Sequence, residues 1–133
     1  MNAELEFGKM GEDSAASFLC GKGFTIIGRN VRLSHTETDI IAKNEKFIIF
    51  AEVKTRRAYP IIMTKSPRPA TAVNFSKQKK LIEGAKKYLA KYKDICMGLQ
   101  PRIDVIEVYA SPDSEKYKVL KIVHMENAVR QTR

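Results

Sequence analysis

The sequence predicts an α/β fold of three layers, a mixed sheet flanked by helices, in the order α-β-β-β-α-β-β. The prediction rests on three observations. A helical stretch opens the chain, three strand-like runs follow with a short link between the second and third, and a second helical stretch leads as a crossover into two more alternating runs. At 133 residues and 44% hydrophobic content, there is material for one packed core and too little for two, so residues 1–133 are read as a single domain.

Residues 3–21 place Leu5, Met10, Ala15, Ala16, Phe18 and Leu19 as an apolar stripe at helical spacing, with Gly21 and Gly23 ending the helix. Residues 24–33, 36–44 and 46–54 then read as strands. The Asn44-Glu45 link is short enough to fold the second and third into an antiparallel hairpin. From 55 to 71 the prolines Pro60, Pro67 and Pro69 break regular structure. A helix over 76–93 puts Leu81, Ile82, Ala85, Tyr88, Leu89 and Tyr92 inward and Lys77, Lys80, Lys87 and Lys91 outward. Residues 102–110 form the next strand, Pro112-Asp113 a turn, and 116–124 the last strand. If the third and fourth strands are parallel neighbours, their crossover should be right-handed.

The formal net charge is +9 and the excess is uneven: twelve Lys or Arg residues against the single acid Glu83 between Lys54 and Lys93. Such a sector suits a polyanionic partner, because Lys and Arg neutralise phosphates and release counterions; a solvated helix face is the plain alternative. No apolar run reaches the roughly 20 residues of a membrane span. The first thirteen residues have no apolar signal-peptide region, so a cytoplasmic protein without membrane association is expected. Cys20 and Cys96 lack metal-ligand spacing and are expected as small buried residues.

The chemistry concentrates in Asp39 and Glu52-Val53-Lys54. Alternation along a strand puts Glu52 and Lys54 on one face and Val53 on the other. The hairpin brings Asp39 toward Glu52, so two anionic oxygen donors and an ammonium converge. That is the minimum set for divalent-metal-assisted phosphodiester cleavage; an exposed cross-strand ion pair is the simpler alternative.

Gly11-Glu12, Arg29-Asn30-Val31-Arg32, Glu37-Thr38-Asp39-Ile40-Ile41-Ala42, Phe50-Ala51-Glu52-Val53-Lys54-Thr55-Arg56, Ala72-Val73 with Lys77-Gln78, and Arg102-Ile103-Asp104-Val105 together cover most of the chain. On these residues the chain resembles the PD-(D/E)XK nuclease superfamily, which includes the archaeal Holliday junction resolvases. More closely, it resembles the YraN-like bacterial family of predicted endonucleases. Two positions depart from that family's pattern: Thr36 replaces a glycine and Thr38 an aliphatic residue. The 59–69 loop is also longer.

The resemblance implies a restriction endonuclease-like fold and a metal-dependent DNA endonuclease, selective for a structure such as a junction or flap. A non-catalytic nucleic-acid-binding module of the same fold is the alternative. Asp39 would ligate Mg²⁺ or Mn²⁺ directly, with Glu52 and the Val53 carbonyl completing the protein ligands. Lys54 would orient the attacking water or stabilise phosphorane charge, and Glu12 would approach the metal through a water. Arg56, Arg57, Lys77, Gln78, Lys80 and Lys87 are the candidate nucleic-acid contacts, with DNA the favoured partner and a homodimer suited to cutting two strands. His35 is read as incidental, and Asp104 and His124 as structural.

Overall fold

The computed structural model of the chain describes residues 2–58, 74–113 and 116–129. Its elements are α1 (Ala3–Gly21), β1 (Thr25–Leu33), β2 (Thr36–Lys43), β3 (Phe47–Arg57), α2 (Phe75–Lys91), the short α3 (Lys93–Cys96), β4 (Gln100–Asp113) and β5 (Lys116–Val129). The five strands lie in sequence order in one sheet. β3 and β4 are parallel, and the other neighbouring pairs are antiparallel. The mixed sheet and the expected element order are therefore both present, with α3 added where the second helix breaks at Tyr92.

α1 starts at Asn2, whose side chain accepts the Glu4 N–H at 2.8 Å, and Glu4 and Glu6 sit in the positive first turn. It ends with the Phe24 N–H on the Leu19 carbonyl and Gly23 at φ +94°, a left-handed exit that a glycine makes without steric cost. Its buried face is Phe7, Gly11, Ala15, Ala16 and Leu19. This corrects the expected stripe: Leu5 lies well round the helix from the Phe7–Gly11–Ala15–Leu19 line and is 72% exposed. Cys20 is also exposed, contrary to expectation, whereas Cys96 is buried.

The two faces of the sheet carry separate cores. Ile49, Ala51 and Val53 of β3 pack with Ile40, Ala42, Ile106 and Val108 against Ala15, Ala16 and Leu19 of α1. Ile48 and Phe50 pack with Ile41, Ile103 and Val105 against Leu81, Ala85 and Tyr88 of α2. Period-two alternation in β3 thus continues the α2-facing row as Glu52, Lys54 and Arg56. β3 runs three residues beyond its expected end, so Arg56 and Arg57 belong to the strand and point to opposite faces. β5 likewise extends to Val129, because Met125 and Val129 still pair with Val105 and Ile103. Pro112 and Asp113, expected as a turn, are instead the last ladder positions before the β4–β5 connection, opposite Tyr117 and Lys116.

Two glycines set how closely the helices approach. A Cβ on Gly84 would stand 3.1 Å from Thr36 Oγ1 and 3.4 Å from Thr38 Oγ1. The two threonines that depart from the family pattern are thus buried packing residues beneath α2, and Thr36 donates its hydroxyl to the Leu33 carbonyl at 2.7 Å. Gly11 is tighter, since a Cβ there would fall 1.8 Å from Thr55 Oγ1 and 2.8 Å from Thr55 Cβ. Gly11→Ala should therefore destabilise the fold by about 1–3 kcal/mol through overpacking, reduced by alanine's helix preference of up to about 1 kcal/mol. Thermal melts should show part of the loss recovered in a Thr55→Ala background. A Gly11→Ala variant melting at or above wild type would disprove the close approach.

On the α1 face, Asp104 is fully buried within a charged cluster. It accepts both Arg102 Nε and Nη2 at 2.9 Å and the Asn127 N–H at 2.9 Å, and His124 Nε2 lies 2.7 Å from it. Lys22 Nζ is 2.9 Å from His124 Nδ1, so the ring accepts from the ammonium at one nitrogen and donates to Asp104 at the other. Arg102 also reaches Glu126 at 3.0 Å and lies over the Phe47 ring at 4.6 Å. The cluster ties β4, β5 and the end of α1 together, the structural part expected of Asp104 and His124.

Candidate active site

The β2–β3 ladder is paired from Lys43 with Ile48 to Ile40 with Ala51, and Asp39 follows where the ladder ends, beside Glu52. Here the carboxylate replaces a backbone carbonyl as acceptor: Asp39 Oδ2 takes the Val53 N–H at 2.8 Å. This bond fixes Asp39 to the strand that carries Glu52 and Lys54. Asp39 is half-buried, whereas Glu52 is only 5% exposed. Burial first, then the charge and hydrogen bonding of Asp39, push the Glu52 pKa up to about 7, while Lys77 and Lys54 oppose the rise.

Among the described residues, Glu52 Oε2 is a buried oxygen without a hydrogen-bond partner. Lys77 Nζ stands 3.4 Å from it, close enough for charge attraction but without hydrogen-bond geometry. Lys77 comes from the first turn of α2, so the packing of that helix on Phe50 through Tyr88 delivers an ammonium to the carboxylate pair. Lys54 is half-buried on the same face as Glu52.

Glu12 approaches from α1. Its pKa is raised, first by burial and then by the charge of Asp39, with a hydrogen bond from Asn30 and the charge of Arg29 working against the rise. Asn30 holds a left-handed backbone at φ 50°, which asparagine tolerates better than most residues. Glu12 lines a cleft of about 610 Å³ with Glu4, Leu5, Gly8, Lys9, Arg29 and Asn30. Among the described residues, no three His, Cys, Asp or Glu side chains converge tightly enough to hold an ion. Glu12 thus feels the charge of Asp39 from the α1 side.

The expected nucleic-acid contacts separate into distinct settings. Lys77 and Lys80 line a cleft of about 210 Å³ with Arg32, His35, Thr36 and Glu37. Lys87 pairs with Glu83 at 3.2 Å, and Glu83 also meets His35 at 3.2 Å. Gln78 is half-buried one residue after Lys77. Arg56 shares the Glu52 face and its Nε donates to the buried Glu107. Arg57 lies on the other face, paired with Glu4 and placed over the Phe7 ring at 4.6 Å. Sequence reasoning missed Glu107 and Asn30; the signal for Glu107 was an acid inside the otherwise apolar run Val105-Ile106-Glu107-Val108.

A helix on each face of a mixed sheet, with an Asp and a Glu-x-Lys brought together from its second and third strands, is the restriction endonuclease-like fold expected from the sequence. Residues 11–108 match the model of the uncharacterised protein family UPF0102, and this chain belongs to that family. A UPF0102 protein of Caldanaerobacter subterraneus is 38% identical over 91% of this chain and 92% of its own length. One from Clostridium botulinum is 39% identical over 86% and 88%, and one from Dictyoglomus turgidum is 35% identical over 92% and 96%. Among solved structures, SfsA from Pyrococcus furiosus in complex with Ca²⁺ is similar at a TM-score of 0.36 and 17% identity, over 90% of this chain and 60% of that one. Similarity at that level has no bearing on function.

Proposed function

We propose that this protein is a metal-dependent endonuclease that hydrolyses phosphodiester bonds in DNA, with selectivity for a branched structure such as a junction or flap. The observation that carries the reading is the buried, unsatisfied Glu52 Oε2 facing Asp39. Burying such an oxygen costs stability unless a cation or donor satisfies it. Two carboxylates are a hard oxygen donor set that suits Mg²⁺ or Mn²⁺, and magnesium needs few protein ligands because it keeps several waters. Asp39 and Glu52 would hold the ion, with the Val53 carbonyl as third donor. When bound, the ion lowers the pKa of a water and neutralises charge on phosphate.

The chain's own groups do the rest. Asp39 is held in place by the Val53 N–H. Lys54, on the Glu52 face, lies where an ammonium stabilises charge gathering on the phosphate oxygens. Lys77 balances Glu52 before a substrate arrives. The basic sector draws in the polyanion, and a pair of protomers related by a two-fold axis suits cleavage of both strands at a junction. No described helix is long and apolar enough to cross a membrane, and a cytoplasmic location fits a nuclease of this kind.

The test is cleavage of labelled linear, flapped and four-way-junction DNA in Mg²⁺, Mn²⁺ or EDTA. Cutting that depends on metal and prefers one structure supports the proposal. The second reading, a non-catalytic nucleic-acid-binding module, is favoured by one feature: Lys77 already supplies a cation 3.4 Å from Glu52. Binding without cutting in every metal would select it. Under either reading, Lys54, Arg56, Lys77 and Lys80 meet phosphates, so log K for duplex DNA should fall against log salt with a slope of about −3 to −4. A flat dependence in a titration would exclude both.

A further inference from the structure

The proposed chemistry makes no use of one buried carboxylate on the Glu52 face. Glu107 of β4 is 1% exposed and stands opposite Lys54 in the parallel β3–β4 ladder, with Tyr109 opposite Arg56. Arg56 donates its Nε to Glu107 Oε2, and the Tyr109 hydroxyl donates to Glu107 Oε1 at 3.2 Å. Burying a lone carboxylate is costly, so this one is retained with a cation over it. The two partners differ sharply in depth: the Arg56 side chain is 41% exposed above a carboxylate that is almost completely covered.

That arrangement is an arginine anchored from below. Donation through Nε leaves the two terminal nitrogens of the planar guanidinium as the pair suited to a bidentate contact with an oxyanion. Arg56 lies two residues beyond Lys54 and four beyond Glu52 on the same face, at about 6.6 Å for each two-residue step. This is comparable with the step from one phosphate to the next along a nucleic-acid strand. Arg57, the other arginine of β3, is on the opposite face with Glu4 and Phe7.

We propose that Arg56 grips the backbone phosphate next to the one cut, and that buried Glu107, assisted by Tyr109, is a positioning residue that aims its guanidinium. The inference rests on the nucleic-acid reading above and adds to it a second phosphate subsite and the residues that build it. It also carries an unusual sign. Removing an acid from a DNA-binding face ordinarily tightens binding, because repulsion from phosphate is lost. Here Glu107→Gln should loosen it, since a neutral carboxamide still accepts from Arg56 Nε but no longer holds the guanidinium by charge, so Arg56 keeps its own charge and is aimed less firmly.

The experiment measures the affinity of the full chain for a labelled four-way junction by anisotropy, with Ca²⁺ replacing Mg²⁺, and the melting temperature of each variant. Wild type should bind. Arg56→Gln should weaken binding about tenfold and reduce the salt slope by about one, whereas Arg56→Lys should weaken it while keeping the slope. Glu107→Gln should weaken binding about tenfold. In an Arg56→Gln background the same change should cause no further loss, which separates an effect through Arg56 from one through Lys54 or through folding. Equal or tighter binding by Glu107→Gln, or an undiminished loss in the Arg56→Gln background, overturns the proposal. If Glu107→Gln does not fold, an Arg56→Lys variant that binds as wild type does overturns it instead. Failure of wild type to bind any DNA would sink the nucleic-acid reading itself, a result distinguishable from these.

Discussion

Asp39→Asn should lower DNA cleavage by on the order of 10³-fold while leaving binding intact or tighter. The side chain serves two purposes that this substitution separates. As an acceptor it takes the Val53 N–H at 2.8 Å, and an asparagine carboxamide oxygen of the same size can accept that bond, so the β2–β3 fork should persist. As an anion it faces buried Glu52, and this charge is what a divalent ion requires. Losing it weakens ion binding and also removes repulsion from phosphate. Single-turnover cleavage and anisotropy on one preparation test both halves. Undiminished cutting by a pure Asp39→Asn sample would refute the site assignment, and a large loss of melting temperature would show that the Val53 bond was not preserved.

The largest effect on stability is expected at Asp104. Asp104→Ala would strip the acceptor from two Arg102 nitrogens, His124 and the Asn127 N–H in one change, leaving Arg102 only 10% exposed with Glu126 as its remaining anion. Breaking a buried pair from one side costs about 3–5 kcal/mol. For a chain of this size that corresponds to a melting temperature lower by roughly 10–20 °C. A drop of only a few degrees would mean that Arg102 re-pairs outside the sheet.

The same group sets part of the acid sensitivity. Burial raises the Asp104 pKa, but hydrogen bonds from His124, Arg102 and the Asn127 N–H, with the Arg102 charge, outweigh it and hold the carboxyl below its ordinary value of 3.8. A carboxylate with a depressed folded-state pKa contributes stability that is fully present above the unfolded value and lost as pH falls through the folded one. Denaturant midpoints should therefore decline below about pH 4 more steeply for wild type than for Asp104→Asn. Parallel pH profiles would assign the acid sensitivity to other carboxylates.

Much of this molecule was legible from local pattern. Period-two alternation in β3 and the short Asn44-Glu45 link together bring Asp39 toward Glu52 and put Lys54 on the Glu52 face, because strand parity and hairpin register are short-range geometry. The same alternation makes Val53 a core residue on the α1 side. Where local signals weaken, the reading slipped. Leu5 entered the expected stripe because helical spacing alone allows several neighbouring stripes, and the choice among them was made by the close contact of Gly11 with Thr55. The ends of β3 and β5 were placed too early because a charged residue such as Arg56 looks like a strand terminus unless its ladder partner is known.

By itself, then, the sequence determined the element order, the mixed sheet and the carboxylate pair, all of which follow from which face each residue must bury. Only the tertiary structure decided which charges meet. Lys77 reaches Glu52 because α2 packs across Phe50. Arg56 and Arg57 have opposite fates because β3 continues between them and a buried Glu107 waits on one side only. Thr36 and Thr38, departures in the linear pattern, are a packing surface for Gly84. Contacts between elements distant in sequence depend on how whole faces dock, and no periodicity within a single element encodes that.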